Sequence, residues 1–140
     1  MTLKEMIEQS DNIVFFGGAG VSTESGIPDF RSETGIYNTI KRYQRSPEEI
    51  LSHSFFMAHP DIFYDFYKST MLYLDAKPNK AHLALAKLEA MGKLKAIVTQ
   101  NIDGLHQLAG SKRVYELHGT VHRNYCMRCH EAYDTEYILK

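Results

Sequence analysis

The chain is 140 residues long, the size of one ordinary domain, and 44% of it is apolar, enough to bury a core and to exclude a disordered polypeptide. Sixteen basic and seventeen acidic residues leave a formal net charge of −1 with no basic face, so composition offers no argument for nucleic acid or an anionic membrane as partner. No apolar run approaches the roughly 20 residues of a bilayer span, Met1–Glu5 does not have the form of a signal peptide, and two cysteines three apart are too few for a disulfide scaffold; the expected setting is reducing and cytoplasmic.

Thr2-Leu3-Lys4-Glu5 has the form of a capping box, and Leu3, Met6 and Ile7 recur at helical spacing, which predicts a short helix over about 2–10. Ile13-Val14-Phe15-Phe16 is a continuous apolar run suited to a strand buried on both faces of a parallel sheet. Gly17, Gly18 and Gly20 end it. Gly26-Ile27-Pro28-Asp29 is a turn, and residues 32–41 show no clean period and are expected to form a loop. Ser46-Pro47-Glu48-Glu49 starts a helix, with Ser46 as cap and Glu49 closing the box. A longer helical pattern runs from about 60 to 73, and Asn79 caps another whose apolar positions Ala81, Leu85, Leu88 and Met91 end at Gly92. Lys95–Thr99 and Val114–Leu117 read as two more strands, and strands separated by helical stretches imply an α/β sheet with crossover connections.

A strand that runs into glycines and then a helix start is a place for phosphate, because backbone N–H groups point outward and the helix dipole favours an anion. Gly18, Gly20 and Thr23 fall on the three glycine positions of G-x-G-x-x-G, so the third glycine is missing, and residues 34–47 hold no acid to take a ribose. As a generic fingerprint the motif is weak, and a plain strand-to-helix turn fits it too. Pro28, which lacks an N–H, is expected to stop the helix. Asp29-Phe30-Arg31 then sets an acid, a ring and a cation side by side, each ordinary alone, but together suited to a loop that folds over a nucleotide.

Thr99-Gln100-Asn101-Ile102-Asp103-Gly104-Leu105-His106 follows the second strand directly, and ligands of open α/β sheets sit beyond the carboxyl ends of the strands. Gln100, Asn101 and Asp103 offer donors and acceptors for a ribose or carboxamide, or else make only local turn bonds. His118 and Gly119 end the third strand at the same edge. Imidazoles titrate near neutrality, so His118 is the best general-base candidate among seven histidines. His53, His59 and His82 sit on helical or loop stretches with no companion motif, and His106 is arguable.

Gly18-Ala19-Gly20-Val21-Ser22, Gly26-Ile27-Pro28-Asp29-Phe30-Arg31, Thr99–Asp103 and Leu117-His118-Gly119 stand in the order and spacing seen in sirtuins, the NAD-dependent protein lysine deacylases, and the resemblance covers the chain from about Ile13 onward. It implies a Rossmann-type parallel sheet, incomplete here, with a small helical insert and the start of a zinc-binding module. The corresponding parts are residues 1–37 and 76–121 for the NAD-binding unit, 38–75 for the helical module and 122–140 for the zinc module. It assigns NAD contacts to Gly18, Ala19, Gly20, Ser22, Thr23, Ile27, Asp29, Phe30, Arg31, Tyr37, Gln100, Asn101, Ile102 and Asp103, and to His118 the role of catalytic base. Nicotinamide leaves the ribose of NAD and the acetyl group of a substrate lysine passes to ADP-ribose. Family members that prefer succinyl or malonyl carry Tyr and Arg three apart on the helical module; here Tyr67 is followed by Thr70, which implies an acetyl-lysine protein or peptide as partner.

Cys126-Met127-Arg128-Cys129 is a C-x-x-C pair, and thiolates at this spacing can share a zinc ion. In sirtuins a second pair completes the site; here His122 and His130 are the remaining candidates, so the zinc site is expected to be half present. The chain resembles roughly the first half of a sirtuin, which would leave apolar strand faces exposed and stability poor. Two other readings are a non-catalytic nucleotide-pocket or partner-binding fragment and a small zinc-ribbon module.

Overall fold

The first buried strand sets the frame. In the computed structural model, which describes residues 1–29 and 32–140, with Thr34 and Gly35 by backbone alone, strand β1 is Ile13–Gly17. It pairs in parallel with β2, Leu94–Thr99, which pairs in parallel with β3, Val114–Glu116, in the spatial order β1–β2–β3. The register aligns Gly17 with Thr99 and Thr99 with Glu116, so all three strands end at one level and their following loops leave from one edge. That alignment, rather than any one loop, brings the sequence motifs together.

Helix α1, Leu3–Gln9, carries the expected capping box: Glu5 N–H donates to Thr2 Oγ1 at 3.3 Å and Thr2 N–H to Glu5 Oε2 at 2.7 Å. The Lys93 ammonium closes its other end by donating to the carbonyls of Ile7, Glu8 and Ser10, a favourable place for a cation. A 3₁₀ segment, Ala19–Ser25, follows β1. It stops at Gly26, whose φ of 83° and N–H bonds to Ser22 and Thr23 carbonyls form a left-handed cap. Gly26 thus ends the helix two residues before Pro28, which was expected to do so; a positive φ is open to glycine at little cost.

Residues 32–41, expected as loop, lie mostly in helix α2, Glu33–Tyr43. Ile36, Thr39 and Tyr43 form its covered stripe, and the buried polar Thr39 in the middle of that stripe hides the period from a hydrophobicity reading. α2 also runs unbroken across the 37/38 boundary. Three short helices follow: α3 Pro47–Ile50, α4 His53–Ala58 and α5 Pro60–Phe66. Ile50, Phe55 and Phe66 are buried together, with Tyr43, Leu51 and Met71 packed around them. Asp65 of α5 ties down α2, accepting from Arg42 Nη2 at 2.9 Å and Tyr43 OH at 2.7 Å. The single helix expected over 60–73 widens after Phe66 into a π-turn, Tyr67–Met71. Ser69 Oγ donates to the Asp65 carbonyl at 2.7 Å, taking an acceptor from the regular ladder.

Helix α6, Lys80–Ala90, and the short α7, Leu105–Leu108, cover one face of the sheet, where Ile97 and Thr99 are buried. The other face is open. Val14, Phe16 and Tyr115 are 60%, 63% and 60% exposed, and Leu117 is exposed beside them. β1 is therefore buried on one side only, not on both; the exposed apolar face agrees with the exposure expected of an incomplete sheet. β4, Asn124–Tyr125, and β5, Ala132–Tyr133, make an antiparallel hairpin, followed by α8, Thr135–Leu139. Thr135 Oγ1 and Asn124 Nδ2 both donate to the Val121 carbonyl, and Val121 N–H donates to the Ile102 carbonyl, which fixes the hairpin to the loop after β2.

Candidate functional site: the cleft at the strand ends

A cavity of about 570 Å³ opens where the three parallel strands end. The turn after β1 supplies Ala19, Ser22, Ile27 and Asp29, the loop after β2 supplies Gln100, Asn101, Ile102 and Asp103, and the end of β3 supplies His118. Nine of the residues expected at the site thus meet in one place. Gly18 stands just outside, its backbone so close to Gln100 that an added Cβ would lie 3.2 Å from Oε1. Gly20, Thr23 and Tyr37 are exposed and do not line the cavity; Thr23 Oγ1 donates to the Gly20 carbonyl instead. Phe30 and Arg31 lie outside the described residues.

The opposite wall was not singled out as cofactor-binding from the sequence. Glu48 and Leu51, Phe63 of α5, Tyr67, Thr70 and Met71 of the π-turn, Tyr73 and Thr120, with Pro28 of the turn after β1, complete the lining. The π-turn is what presents Tyr67, Thr70 and Met71 together. Burial, with Tyr64 alongside, raises the Tyr67 phenol above its ordinary value. Among the described lining residues none is lysine or arginine, and Asp29, Glu48 and Asp103 are acidic.

At the cavity floor, Ser22 links two of the loops. Its side chain is buried, donates to Asp103 Oδ2 at 2.7 Å and accepts from Asn101 Nδ2 at 3.1 Å. Asp103 Oδ1 accepts the Leu105 N–H at 2.9 Å. Both carboxylate oxygens are therefore engaged within the protein, which makes Asp103 first a strut between the loops. Gly104 next to it has φ 71°, and a Cβ there would stand 2.7 Å from His122 Nε2, which itself contacts the Asp103 carbonyl at 3.1 Å. Only glycine fits at this bend.

His82 and His106, the one without a companion motif in sequence and the other arguable, are both fully buried directly behind this floor. Their rings meet edge to face at 4.7 Å, and His106 also packs on Phe15 at 5.9 Å. The signal that could have found His82 is its place three residues after the Asn79 cap: Asn79 N–H donates to His82 Nδ1 at 3.2 Å. His82 Nε2 and both His106 nitrogens have no hydrogen-bond partner among the described residues. Burial pushes the His106 imidazole down from 6.5 to about 4, His82 adds to the shift, and the Asp103 carboxylate opposes it. Burial lowers His82 as well, again opposed by Asp103. The unfolded chain therefore binds protons that the folded pair refuses. Stability is complete above about pH 6.5 and is lost as pH falls toward 4, by about 3 kcal/mol for His106. Urea unfolding at pH 7 and pH 4.5 is expected to show this loss, and a His106→Asn chain to show much less of it; equal pH dependence in both would refute the assignment.

The C-x-x-C pair sits at the tip of the β4–β5 hairpin. Backbone N–H groups of Cys129 and Arg128, then the Cys129 thiol, bond to the Cys126 sulfur and lower its pKa. Cys126 and Cys129 are free thiols. A thiolate supported by backbone donors suits a metal, yet no cluster of three or more His, Cys, Asp or Glu exists among the described residues. His122 is engaged with Asp103 rather than with the thiols. The residues present fit two corners of a tetrahedral site.

Comparison with known proteins agrees with this geometry. The Sir2 family model matches residues 18–140. The chain is 69% identical over 137 residues to an NAD-dependent protein deacetylase of Clostridium tetani, covering 98% of this chain and 56% of that protein. It is 63% identical over 138 residues to an NAD-dependent protein deacetylase of Clostridium acetobutylicum, covering 99% of this chain and 56% of that one. It thus spans about half the length of the curated relatives it matches. A solved Sir2 with a p53 peptide and NAD⁺ superposes with a TM-score of 0.81 at 45% identity, covering 98% of this chain and 54% of the other. A Sir2 variant with deacetylated p53 peptide and 3′-O-acetyl ADP ribose gives 0.84 at 48%, covering 97% and 55%. This chain belongs to the Sir2 family.

Proposed function

We propose that the cleft is the nicotinamide and ribose part of an NAD site, and that the chain supplies it to an NAD-dependent protein lysine deacetylase. The observation that carries this reading is the convergence of Ser22, Gln100–Asp103 and His118 on one cavity at the strand ends. NAD, when bound, supplies a ribosyl carbon from which nicotinamide departs and to which the acetyl oxygen of lysine attaches. The chain's own residues do the rest. Ala19, Ile27 and Ile102 give an apolar surface that excludes water. Gln100 and Asn101 offer amides to ribose hydroxyls and the carboxamide. His118 accepts a hydroxyl proton, the work of a general base. Gly18 lets the turn approach Gln100 closely; Phe30 and Arg31 are kept as NAD contacts on the resemblance alone.

Tyr67 and Thr70 both reach the cavity, and Thr70 stands where succinyl- and malonyl-preferring members carry arginine, which supports acetyl-lysine on a protein or peptide as the substrate class. Cys126 and Cys129 would hold half of a structural zinc site, a staple for the hairpin rather than a participant in the reaction. Residues 1–37 with 76–121, 38–75 and 122–140 are taken as the working division into nucleotide, helical and zinc parts. No helix of the described residues is long and apolar enough to cross a membrane, and free thiols suit a reducing cytoplasm.

The test is nicotinamide release from NAD, followed with and without an acetylated peptide. Peptide-dependent release is expected; NAD titrations that show no uptake, together with no release, would sink the reading in favour of a fragment that binds a partner alone.

A further inference from the structure

We infer that Asn79, which lies outside the cavity, is a positioning residue for it: through its side-chain amide it sets the 3₁₀ turn so that Ser22 meets Asp103. The inference rests on the nucleotide reading of the cleft.

Two halves of the Asn79 amide do different work. Oδ1 accepts the Ala81 N–H at 2.9 Å and caps α6. Aspartate or serine would serve equally well there. Nδ2 points the other way, donating to the Val21 carbonyl at 2.7 Å and to Ser25 Oγ at 3.0 Å, partners 58 and 54 residues earlier in the chain. Capping alone does not call for an amide; a residue that both accepts at the helix and donates to the turn does. The two acceptors bracket Ser22, one residue before it and three after.

The Asn79 amide adds a hold from outside the turn. Its ladder is of the 3₁₀ type, and its ends close through Val21 N–H to the Gly18 carbonyl, Gly26 N–H to the Ser22 and Thr23 carbonyls and Ile27 N–H to the Ser22 carbonyl. Such geometry is poorer than that of an α-helix. Gly20, Thr23 and Glu24 on its outer side are exposed. From the sheet side, the same anchor is fixed by Asn79 N–H on His82 Nδ1 and by the packing of His82 on His106, three residues beyond Asp103. Asp103 then accepts from Ser22. Turn, Asn79, His82, His106, Asp103 and Ser22 form a closed circuit that holds the turn after β1 against the loop after β2, the two main walls of the cleft.

The decisive variant is Asn79→Asp. It has the same shape and keeps the cap acceptor, but it removes both donors and sets an oxygen against the Val21 carbonyl. Ser25→Ala, which deletes one acceptor and leaves α6 untouched, is the second. Hydrogen exchange and NAD titration are read on the full chain. Exchange at the Gly26 and Ile27 amides should rise about tenfold in Asn79→Asp and less in Ser25→Ala, with β2 amides and the thermal midpoint close to the parent's. NAD affinity should fall about tenfold and in the same order. Unchanged exchange in both variants would overturn the inference, as would faster exchange with parental NAD affinity. Should the parent chain take up no NAD, the nucleotide reading fails by itself, and exchange alone decides whether the amide holds the turn.

Discussion

His118→Ala is expected to lower acetyl-lysine turnover by about 10²- to 10⁴-fold, the range lost when a positioned general base is removed. Its side chain lines the cavity at the end of β3, is exposed, and makes no hydrogen bond to the described residues. Deleting an exposed, unbonded ring changes stability within about 0.5 kcal/mol. The loss should therefore fall on the rate, with the thermal midpoint and NAD affinity nearly those of the parent. This separation makes the test informative. Steady-state deacetylation alongside thermal unfolding would show it. Turnover retained within a few fold would mean that another group takes the proton and that the convergence on the cavity has been misread.

The second large effect belongs to Asp103. Its carboxylate accepts from Ser22 Oγ and from Leu105 N–H, and Ser22 is buried. Asp103→Ala leaves a buried hydroxyl and a backbone donor without acceptors. Charge-assisted bonds of this kind are worth roughly 1.5–3 kcal/mol, and stranded buried donors add to the cost. A destabilisation of about 3 kcal/mol and a fall in the melting midpoint of about 10 °C are expected. NAD affinity should fall with it, because the two walls lose their strut. Asp103→Asn keeps an acceptor for Leu105 but presents Ser22 with an amide, and should cost about half as much. A melting midpoint unmoved by Asp103→Ala would show that the Ser22–Asp103 bond carries no load. The two variants report on different links: His118 on chemistry, Asp103 on the architecture beneath it.

The open sheet face has a bearing on both experiments. Val14, Phe16, Tyr115 and Leu117 form a contiguous exposed apolar surface on one side of the three strands. Surfaces of this kind promote association. Measurements on the chain are therefore best made across a range of protein concentrations, so that self-association is not mistaken for a change in folding.

The sequence by itself determined the elements that rest on local rules. The Thr2–Glu5 capping box, the Ser46 and Asn79 caps, and the three apolar strands are legible because capping and strand formation need only neighbours in the chain. Asp29, Gln100, Asn101, Asp103 and His118 were legible for a related reason, since in a parallel sheet whatever follows each strand gathers at the carboxyl edge, while Ala19, Ser22, Ile27 and Ile102 came from the resemblance. Only the tertiary structure decided the rest. α2 escaped the sequence reading because the middle of its covered stripe is the buried Thr39, and a threonine is not counted as apolar. The turn after β1 ends at Gly26 through its left-handed backbone, not at the proline beyond. Tyr67, Thr70 and Met71 reach the cavity because Ser69 bonds back to Asp65 and widens the helix. His82 and His106 matter because their rings meet across 24 residues of chain. Asn79 shows the division within one side chain: its oxygen obeys a local rule that can be read from sequence, while its nitrogen acts on a segment that only folding brings near.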